Sequence, residues 1–251
     1  MTEMDLRGTV SLVTGASSGI GAAVARTLAA RGSAVALLAR REDRLASLAL
    51  ELREAGARAL PVPADVTDPE RAAEAVRRTV AGLGRLDILV NNAGAARPGP
   101  MLHGSVDAWD EMVRVNLLGS LYLTHAALPH LIDAAEQGPR RIADLVGISS
   151  VSGRAVHAGN GVYAATKQAL NTYSESLRKE VAGRRVRVAV VEPASVATDL
   201  LPARVRGTQE AARTFERLSP ADVADAVAYV VTRPAHAAVS QLLIRPSESE
   251  R

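Results

Sequence analysis

The chain has 251 residues, of which 47% are hydrophobic and 23% charged, and it contains no cysteine. This mix is typical of a globular protein of about one large α/β domain, and it excludes a disordered chain, a collagen, a disulfide scaffold and a cysteine-ligated metal site. The formal net charge is only +3, basic residues are interleaved with acids and aromatic residues make up 2%, so we expect no nucleic-acid partner.

Short apolar runs alternate with amphipathic or charged segments along the whole chain. In order, the pattern predicts a strand at 10–14, a helix at 22–30, a strand at 34–39, a helix at 42–55, a strand at 59–64, a helix at 69–81 and a strand at 86–90. There follow a long helix at about 107–136, a strand at 142–148, a helix at 162–182, a strand at 186–191, a helix at 221–231 and a short strand at 241–244. This alternation predicts one doubly wound α/β domain over residues 1–251, with a parallel sheet between two helical layers.

Targeting and metal-binding signals are missing from the sequence. The first residues are acidic and no apolar segment follows them, so we predict no secretory signal. No apolar run reaches the roughly 18 residues of a membrane span. The five histidines form no HExxH pair, so we expect no metal. We therefore expect a cytoplasmic protein without a membrane partner.

A glycine- and serine-rich turn lies between the first predicted strand and the first predicted helix. Its glycines have the spacing Gly-x3-Gly-x-Gly, which lets the backbone approach a pyrophosphate closely. The helix that follows offers free N–H groups and a positive dipole end. The position between strand and helix favours a phosphate-binding loop over a plain turn. The predicted contacts are Gly15, Ser17, Ser18, Gly19, Ile20 and Gly21.

Three segments in this order make the chain resemble the classical short-chain dehydrogenases/reductases: TGASSGIG at 14–21, NNAG at 91–94 and YAATK at 163–167. The resemblance spans about residues 8–246 and implies a single-domain Rossmann fold with a seven-stranded sheet. It also implies a homodimer or homotetramer built on the helices predicted at 107–136 and 162–182. The segment LIRP at 243–246 resembles the subgroup of clavulanic-aldehyde reductase and 3-hydroxy-acid dehydrogenases.

The end of the second predicted strand indicates which nicotinamide cofactor is used. In dinucleotide-binding folds an acid at this place binds the ribose 2′-hydroxyl of NAD, whereas an arginine accepts the 2′-phosphate of NADP. Here Ala39 is followed by Arg40 and Arg41. Arginines at a helix start oppose the helix dipole, which favours a ligand over a capping role. We predict NADP(H), with Arg40 as the first candidate and Arg41 as the second.

Tyr163 and Lys167 are four residues apart in a predicted helix and therefore share one face. A free tyrosine has a pKa near 10, and a nearby ammonium lowers that pKa. The pair predicts a general acid for carbonyl reduction, or a base for alcohol oxidation. Lysine otherwise occurs only at Lys179, which favours a role for Lys167 over a solvated pair.

The resemblance implies roles for further residues. Ser150 would hydrogen-bond the substrate carbonyl, with Ser149 and Ser152 as alternatives. Asn116 would shape a helix bend and complete a proton relay to Lys167. Asn91 would be mainly structural. The remaining cofactor-side residues would be Asp65, Val66, Asn92, Ala93, Gly94, Tyr163, Lys167, Pro193, Val196 and Thr198.

Two of these positions leave alternatives open. Asp65 would contact the adenine; it could instead cap the helix predicted at 69–81, although Asp68 fits that role better. Ala194 stands where family members usually have glycine, and it would be costly only if its φ is positive.

The least regular stretch predicts a substrate lid at about residues 194–219. Its arginines could bind a substrate carboxylate, although a solvated amphipathic helix is the favoured interpretation. They are Arg204, Arg206, Arg213 and Arg217. The expected pocket residues are mostly apolar, namely Pro98, Met101, Val151, His157 and Leu200.

These residues together predict NADPH-dependent reduction of a ketone or aldehyde substrate. One alternative is NADP-dependent oxidation of a secondary alcohol or 3-hydroxy acid. The other is an NADP-binding regulatory or scaffold protein without catalysis.

Overall fold

The computed structural model describes residues 5–200 and 216–248, and its strands form one parallel sheet. The strands are β1 (Val10–Thr14), β2 (Ala34–Ala39), β3 (Ala59–Pro63), β4 (Ile88–Asn91), β5 (Ala143–Ile148), β6 (Val186–Pro193) and β7 (Gln241–Ile244). Their order is β3-β2-β1-β4-β5-β6-β7. Every residue of β1, β2, β4 and β5 is buried, which is why these strands are continuous apolar runs rather than alternating ones.

Helices cover both faces of the sheet. The described helices are α1 (Gly19–Ala30), α2 (Glu42–Glu54), α3 (Pro69–Leu83), α4 (Val106–Val113), α5 (Gly119–Gln137), α6 (Gly161–Val181) and α7 (Pro220–Val231). One core packs α1, α2 and α7 on the sheet, and a second packs α3, α5 and the end of α6 on the opposite face. The predicted doubly wound, single-domain α/β fold is confirmed.

The prediction of one regular helix at about 107–136 is wrong. Between α4 and α5 the chain forms a π-helical turn, Arg114–Leu118, in which each hydrogen bond spans one residue more than in an α-helix. Asn116 is buried at this turn. The apolar pattern runs through the turn, so it could not reveal the change of helix type.

The observed element boundaries differ from the predicted ones at the glycine turn and at the end of β6. α1 begins at Gly19, inside the glycine turn, rather than at residue 22. β6 continues to Pro193, two residues beyond the predicted end. Part of the predicted lid, 201–215, lies outside the described residues. Its two flanks pair through a bridge between Val196 and Leu218.

In the parts of the chain that the structure describes, residues 5–200 and 216–248, no helix is long and apolar enough to cross a membrane. Within the same ranges, no three histidine, aspartate or glutamate side chains form a group that could hold a metal ion.

The N-cap of α3 gives a stability prediction. Asp68 Oδ1 accepts from the backbone N–H groups of Glu70 (2.9 Å) and Arg71 (3.1 Å). Asp68→Ala is expected to cost about 1 kcal/mol of unfolding free energy, or about 2–4 °C in Tm, because these donors lose their acceptor. Thermal unfolding followed by circular dichroism measures this. The matched control, Glu74→Ala, removes an exposed ion pair on the same helix and should cost less than about 0.5 kcal/mol. Equal Tm values for the two variants would contradict the cap.

Candidate active site

A cleft of about 990 Å³ lies at the carboxyl ends of the central strands. The sheet order reverses between β1 and β4, and in open α/β sheets the crevice at such a point is where ligands bind. The cleft is lined by the turn after β1, the ends of β2 and β4, the segment after β5, the start of α6 and the segment after β6.

Most predicted site residues line this one cleft. They are Gly15, Ser17, Ser18, Gly19, Ile20, Arg40, Arg41, Asp65, Val66, Asn92, Ala93, Gly94, Ser150, Tyr163, Lys167, Pro193, Val196 and Thr198. Gly21 and Asn116 are buried behind its wall.

The glycine turn has the geometry of a phosphate cradle. Gly15 has a φ of +66°, which side chains rarely tolerate, and a Cβ there would lie 2.7 Å from Asn92 Nδ2. A Cβ at Gly21 would meet Gly15 O and lie 2.6 Å from Asn92 Nδ2, so Gly21 serves close packing of α1 rather than contact with the cleft. Ser18, the N-cap residue of α1, makes no side-chain cap bond. The first N–H groups of α1 therefore fit a pyrophosphate.

Thr14, which is not among the predicted site residues, connects this turn to the end of β4. Its hydroxyl accepts from the N–H groups of Asn92 and Ala93, both at 2.8 Å. Asn92 Nδ2 donates back to Thr14 O at 2.8 Å. Asn91 instead points into the fold and donates to Thr124 Oγ1 at 3.0 Å.

Two guanidinium groups stand at the end of β2. Arg41 Nη2 donates to Ser17 Oγ and to Ser18 Oγ, each at 2.8 Å, so this side chain is held against the glycine turn. Arg40 is exposed and also lines the cleft. The positive end of the cleft therefore fits the extra phosphate of NADP.

After β3, Asp65 and Asp68 have different hydrogen-bond partners and different roles. Asp65 Oδ1 accepts from the N–H and the hydroxyl of Thr67, both at 2.9 Å, and the residue lines the cleft. The cap of α3 is made by Asp68, as favoured from sequence.

Tyr163, Ser150 and Lys167 meet at the other end of the cleft. A Ser150–Tyr163 hydrogen bond lowers the pKa of Tyr163, but burial of the phenol raises it more. The net shift is upward, opposite to the direction expected from sequence. Lys167 Nζ lies 5.8 Å from the centre of the Tyr163 ring and donates to Ile148 O at 2.7 Å. Burial lowers the pKa of Lys167 to about 8.

Asn116 holds the wall behind these groups. Its Oδ1 accepts from Ala95 N at 2.7 Å, and its Nδ2 donates to Ala95 O and to Thr166 Oγ1, each at 3.0 Å. The amide of Asn116 thereby fastens the loop after β4 to α6 beside Lys167. The proton relay from Asn116 to Lys167 stays a prediction.

Ala194 is accommodated without strain. Among the described residues, those other than glycine with positive φ are Arg141 and Arg185. Ala194 N donates to Ile244 O at 2.9 Å. The segment from Pro193 to Thr198 therefore needs no glycine at this position.

The substrate side of the cleft differs in part from the expectation. Pro98, His157 and Leu200 line it, as does Arg217 from the predicted lid. Met101 and Val151 are absent from the described lining, and Met101 is 65% exposed. Arg204, Arg206 and Arg213 lie outside the described residues.

An ion pair in the lining was missed from sequence. Arg97 Nη2 and Glu111 Oε1 lie 3.0 Å apart, and both side chains line the cleft. The two residues are 14 positions apart on a loop and on α4, so no local spacing could have joined them.

The buried Lys167 gives a prediction with a defined sign. Its pKa falls from 10.5 to about 8 on folding, so the unfolded chain binds more protons in that window and stability rises with pH across it. Relative to Lys167→Met, the wild type should gain about 2 kcal/mol of unfolding free energy between about pH 7 and pH 9.5. Urea unfolding at both pH values measures this. Lys179→Met, an exposed change on the same helix, should track the wild type. Parallel curves for wild type and Lys167→Met would show that the ammonium is not desolvated.

The sheet order and the cleft at its reversal define a dinucleotide-binding protein of the Rossmann type. The model of the short chain dehydrogenase family matches residues 9–209, and the chain belongs to that family. It is an oxidoreductase of the class that acts on CH–OH and C=O groups. Its resemblance to the clavulanic-aldehyde reductase subgroup stays a prediction.

Similar proteins share nearly the whole chain. An uncharacterized oxidoreductase of Staphylococcus saprophyticus is 36% identical over 244 residues, which is 97% of this chain and 99% of that protein. A short chain dehydrogenase from Burkholderia cenocepacia J2315, solved with NADP, is 32% identical to this chain, with a TM-score of 0.84. The match covers 96% of this chain and 98% of that protein. The closed form of a serine dehydrogenase, solved with NADP+, is 31% identical with a TM-score of 0.87 over 97% of each chain.

Proposed function

We propose that the protein is an NADPH-dependent reductase of a ketone or aldehyde. The observation that carries this proposal is that Ser150, Tyr163 and Lys167 line the same cleft as the glycine turn and the two arginines after β2. One end of the cleft suits a phosphorylated dinucleotide, and the other suits proton transfer to a carbonyl oxygen.

The cofactor contacts follow from the cleft lining. Arg40 and Arg41 would pair with the 2′-phosphate, and the turn at the start of α1 would hold the pyrophosphate. Asp65 and Val66 would border the adenine. Asn92, Ala93 and Gly94 would border the adenosine ribose, and Pro193, Val196 and Thr198 the carboxamide.

NADPH held in this cleft would supply the hydride. Tyr163 Oη donates its proton to the carbonyl oxygen, and the Ser150 hydroxyl donates a hydrogen bond to the same oxygen as negative charge develops there. Lys167 Nζ holds the positive charge beside the phenol. Because burial raises the pKa of Tyr163, the phenol is protonated at neutral pH, which suits a general acid.

Oxidation of a secondary alcohol or a 3-hydroxy acid is the second candidate. It is supported by the similarity to a serine dehydrogenase and by Arg217 in the cleft lining, where a guanidinium could face a substrate carboxylate. A non-catalytic NADP-binding role has less support, because such a protein needs no Ser150, Tyr163 and Lys167 in one cleft. The cytoplasmic location, the homodimer or homotetramer and the lid at about 194–219 stay predictions.

The test is NADPH and NADH consumption at 340 nm with a panel of ketones, aldehydes and keto acids, and NADP+ reduction with 3-hydroxy acids. Turnover with NADPH supports the proposal. Turnover restricted to 3-hydroxy acids with NADP+ supports the second candidate. NADPH binding without turnover of any substrate in either direction would favour the non-catalytic role.

A further inference from the structure

Glu192 is a fully buried carboxylate at the end of β6, immediately before the predicted cofactor residue Pro193. Arg154 Nε donates to both of its oxygens, at 2.9 Å and 2.8 Å. Asn171 Nδ2 donates to Glu192 Oε1 at 2.9 Å. The carboxylate thus has three donated hydrogen bonds from two other segments of the chain.

Each member of this cluster is attached close to a group of the proposed reaction. Arg154 directly follows the short 3-10 turn Val151–Gly153, whose N-cap is Ser150. Asn171 lies one helical turn beyond Lys167 in α6. The 3-10 turn also packs tightly on this helix, since a Cβ at Gly153 would lie 2.9 Å from Asn171 Nδ2.

A second contact extends the cluster to the edge of the sheet. Arg154 Nη2 donates to Gln241 Oε1 at 2.7 Å, on β7. Arg154 therefore joins the turn after β5 to β6 and to β7. The described lining of the cleft does not include Arg154, Asn171 or Glu192. Any influence on the reaction must act through their neighbours.

We propose that Glu192, with Arg154 and Asn171, is a positioning cluster that holds Ser150 in register with Tyr163 and Lys167. The proposal rests on the reductase function proposed above. Without the Glu192 charge, Arg154 keeps its hydrogen bond to Gln241 but loses its ion-pair partner, and the turn that carries Ser150 is fastened to α6 by fewer contacts. The serine hydroxyl then samples positions from which it cannot meet the carbonyl oxygen and Tyr163 together.

A matched ion pair at the amino ends of the strands, on the side of the sheet away from the cleft opening, provides the control. Asp87 is fully buried, and Arg85 Nε and Nη2 donate to its two oxygens at 2.7 Å and 2.9 Å. Asp87 lies just before β4, and neither residue is part of the described cleft lining. Asp87→Asn and Glu192→Gln therefore remove the same kind of charge at the same burial. They differ in distance from the proposed reaction.

The kinetic test is a double-mutant cycle. Glu192→Gln is expected to lower kcat for carbonyl reduction about tenfold with little change in KM for NADPH, while Asp87→Asn leaves kcat unchanged. In a Ser150→Ala background, Glu192→Gln should lower kcat no further, because the cluster acts through Ser150. Full additivity of the two changes would overturn the proposal. Arg154→Lys, which keeps a cation but lacks the planar fork, is a milder second variant and should change kcat in the same direction.

Amide hydrogen exchange tests the same cluster without turnover. Ser152 N donates to Ser150 Oγ at 3.1 Å, and Gly153 N and Arg154 N donate to Ser150 O and Val151 O at 2.9 Å. These amides should exchange about tenfold faster in Glu192→Gln or Arg154→Lys than in wild type, and at the wild-type rate in Asp87→Asn. Unchanged exchange in both cluster variants would overturn the proposal. If the wild type reduces no carbonyl, the reductase function fails, and this measurement still decides whether the cluster holds the turn.

Discussion

Tyr163→Phe is expected to lower kcat for carbonyl reduction about 10³-fold while leaving NADPH affinity within about threefold of wild type. The change removes one oxygen and the proton it carries, and it keeps the ring that packs in the cleft wall. The substrate oxygen would then have to take its proton from water. Ser150 could still donate a hydrogen bond, so a residual rate should remain.

The matched control for this change is Tyr229→Phe. Tyr229 lies on α7, is 44% exposed and has its ring 4.0 Å from the Arg233 guanidinium carbon. It has no part in the described cleft lining, so its loss should leave kcat unchanged. Steady-state kinetics with NADPH, together with NADPH binding by fluorescence, separates chemistry from binding. A Tyr163→Phe enzyme within tenfold of wild type would mean that another group supplies the proton.

The pattern of elements was predictable because the sheet is buried on both faces. An apolar run such as 34–39 has no solvent face, so its length and its limits are visible in the sequence, and β2 is found there with the same bounds. The β1–turn–α1 unit was predictable for a related reason. Gly15 has a positive φ and no room for a Cβ, so this position requires glycine. Such a glycine can be recognised directly in the sequence.

The contacts that hold the site together were not predictable in the same way. Glu192 and Arg154 are 38 positions apart, and Arg97 and Glu111 are 14 apart. No periodicity joins such residues, since they meet only when the carboxyl ends of the strands come together. The apolar pattern continues through the π-turn at Asn116 and does not reveal it, so the helix bend there was implied by the family resemblance alone.

The direction of the Tyr163 pKa shift shows a third limit on what the sequence can predict. From the sequence, the spacing to Lys167 suggested a lowered pKa, since a cation favours the phenolate. In the fold the phenol is partly buried in the cleft wall, and this burial outweighs the Ser150 hydrogen bond in its effect on the pKa. The depth of a side chain is a property of the packed protein, so the sign of this balance could not be obtained from residue spacing.

Replacing Arg40 and Arg41 together by alanine is expected to weaken NADPH binding by about 10²–10⁴-fold. Each charge-assisted contact to the 2′-phosphate is worth about 1.5–3 kcal/mol, and the double variant removes both candidates. NADH carries no such phosphate, so its affinity should fall much less. Equilibrium binding of both cofactors, at one ionic strength, measures the ratio. Arg44→Ala, an exposed change on α2 that is no part of the described cleft lining, is the control and should leave the ratio unchanged.

The two single variants separate the arginines by their contacts. Arg41 holds the hydroxyls of Ser17 and Ser18, which belong to the turn that both cofactors would use. Arg41→Ala should therefore weaken NADPH and NADH together, with the larger loss for NADPH. Arg40 is exposed at the same end of the cleft, so Arg40→Ala should weaken NADPH alone, about tenfold or more. An Arg40→Ala protein that keeps its full preference for NADPH would assign the phosphate to Arg41, since the remaining guanidinium at the end of β2 would then account for the selectivity.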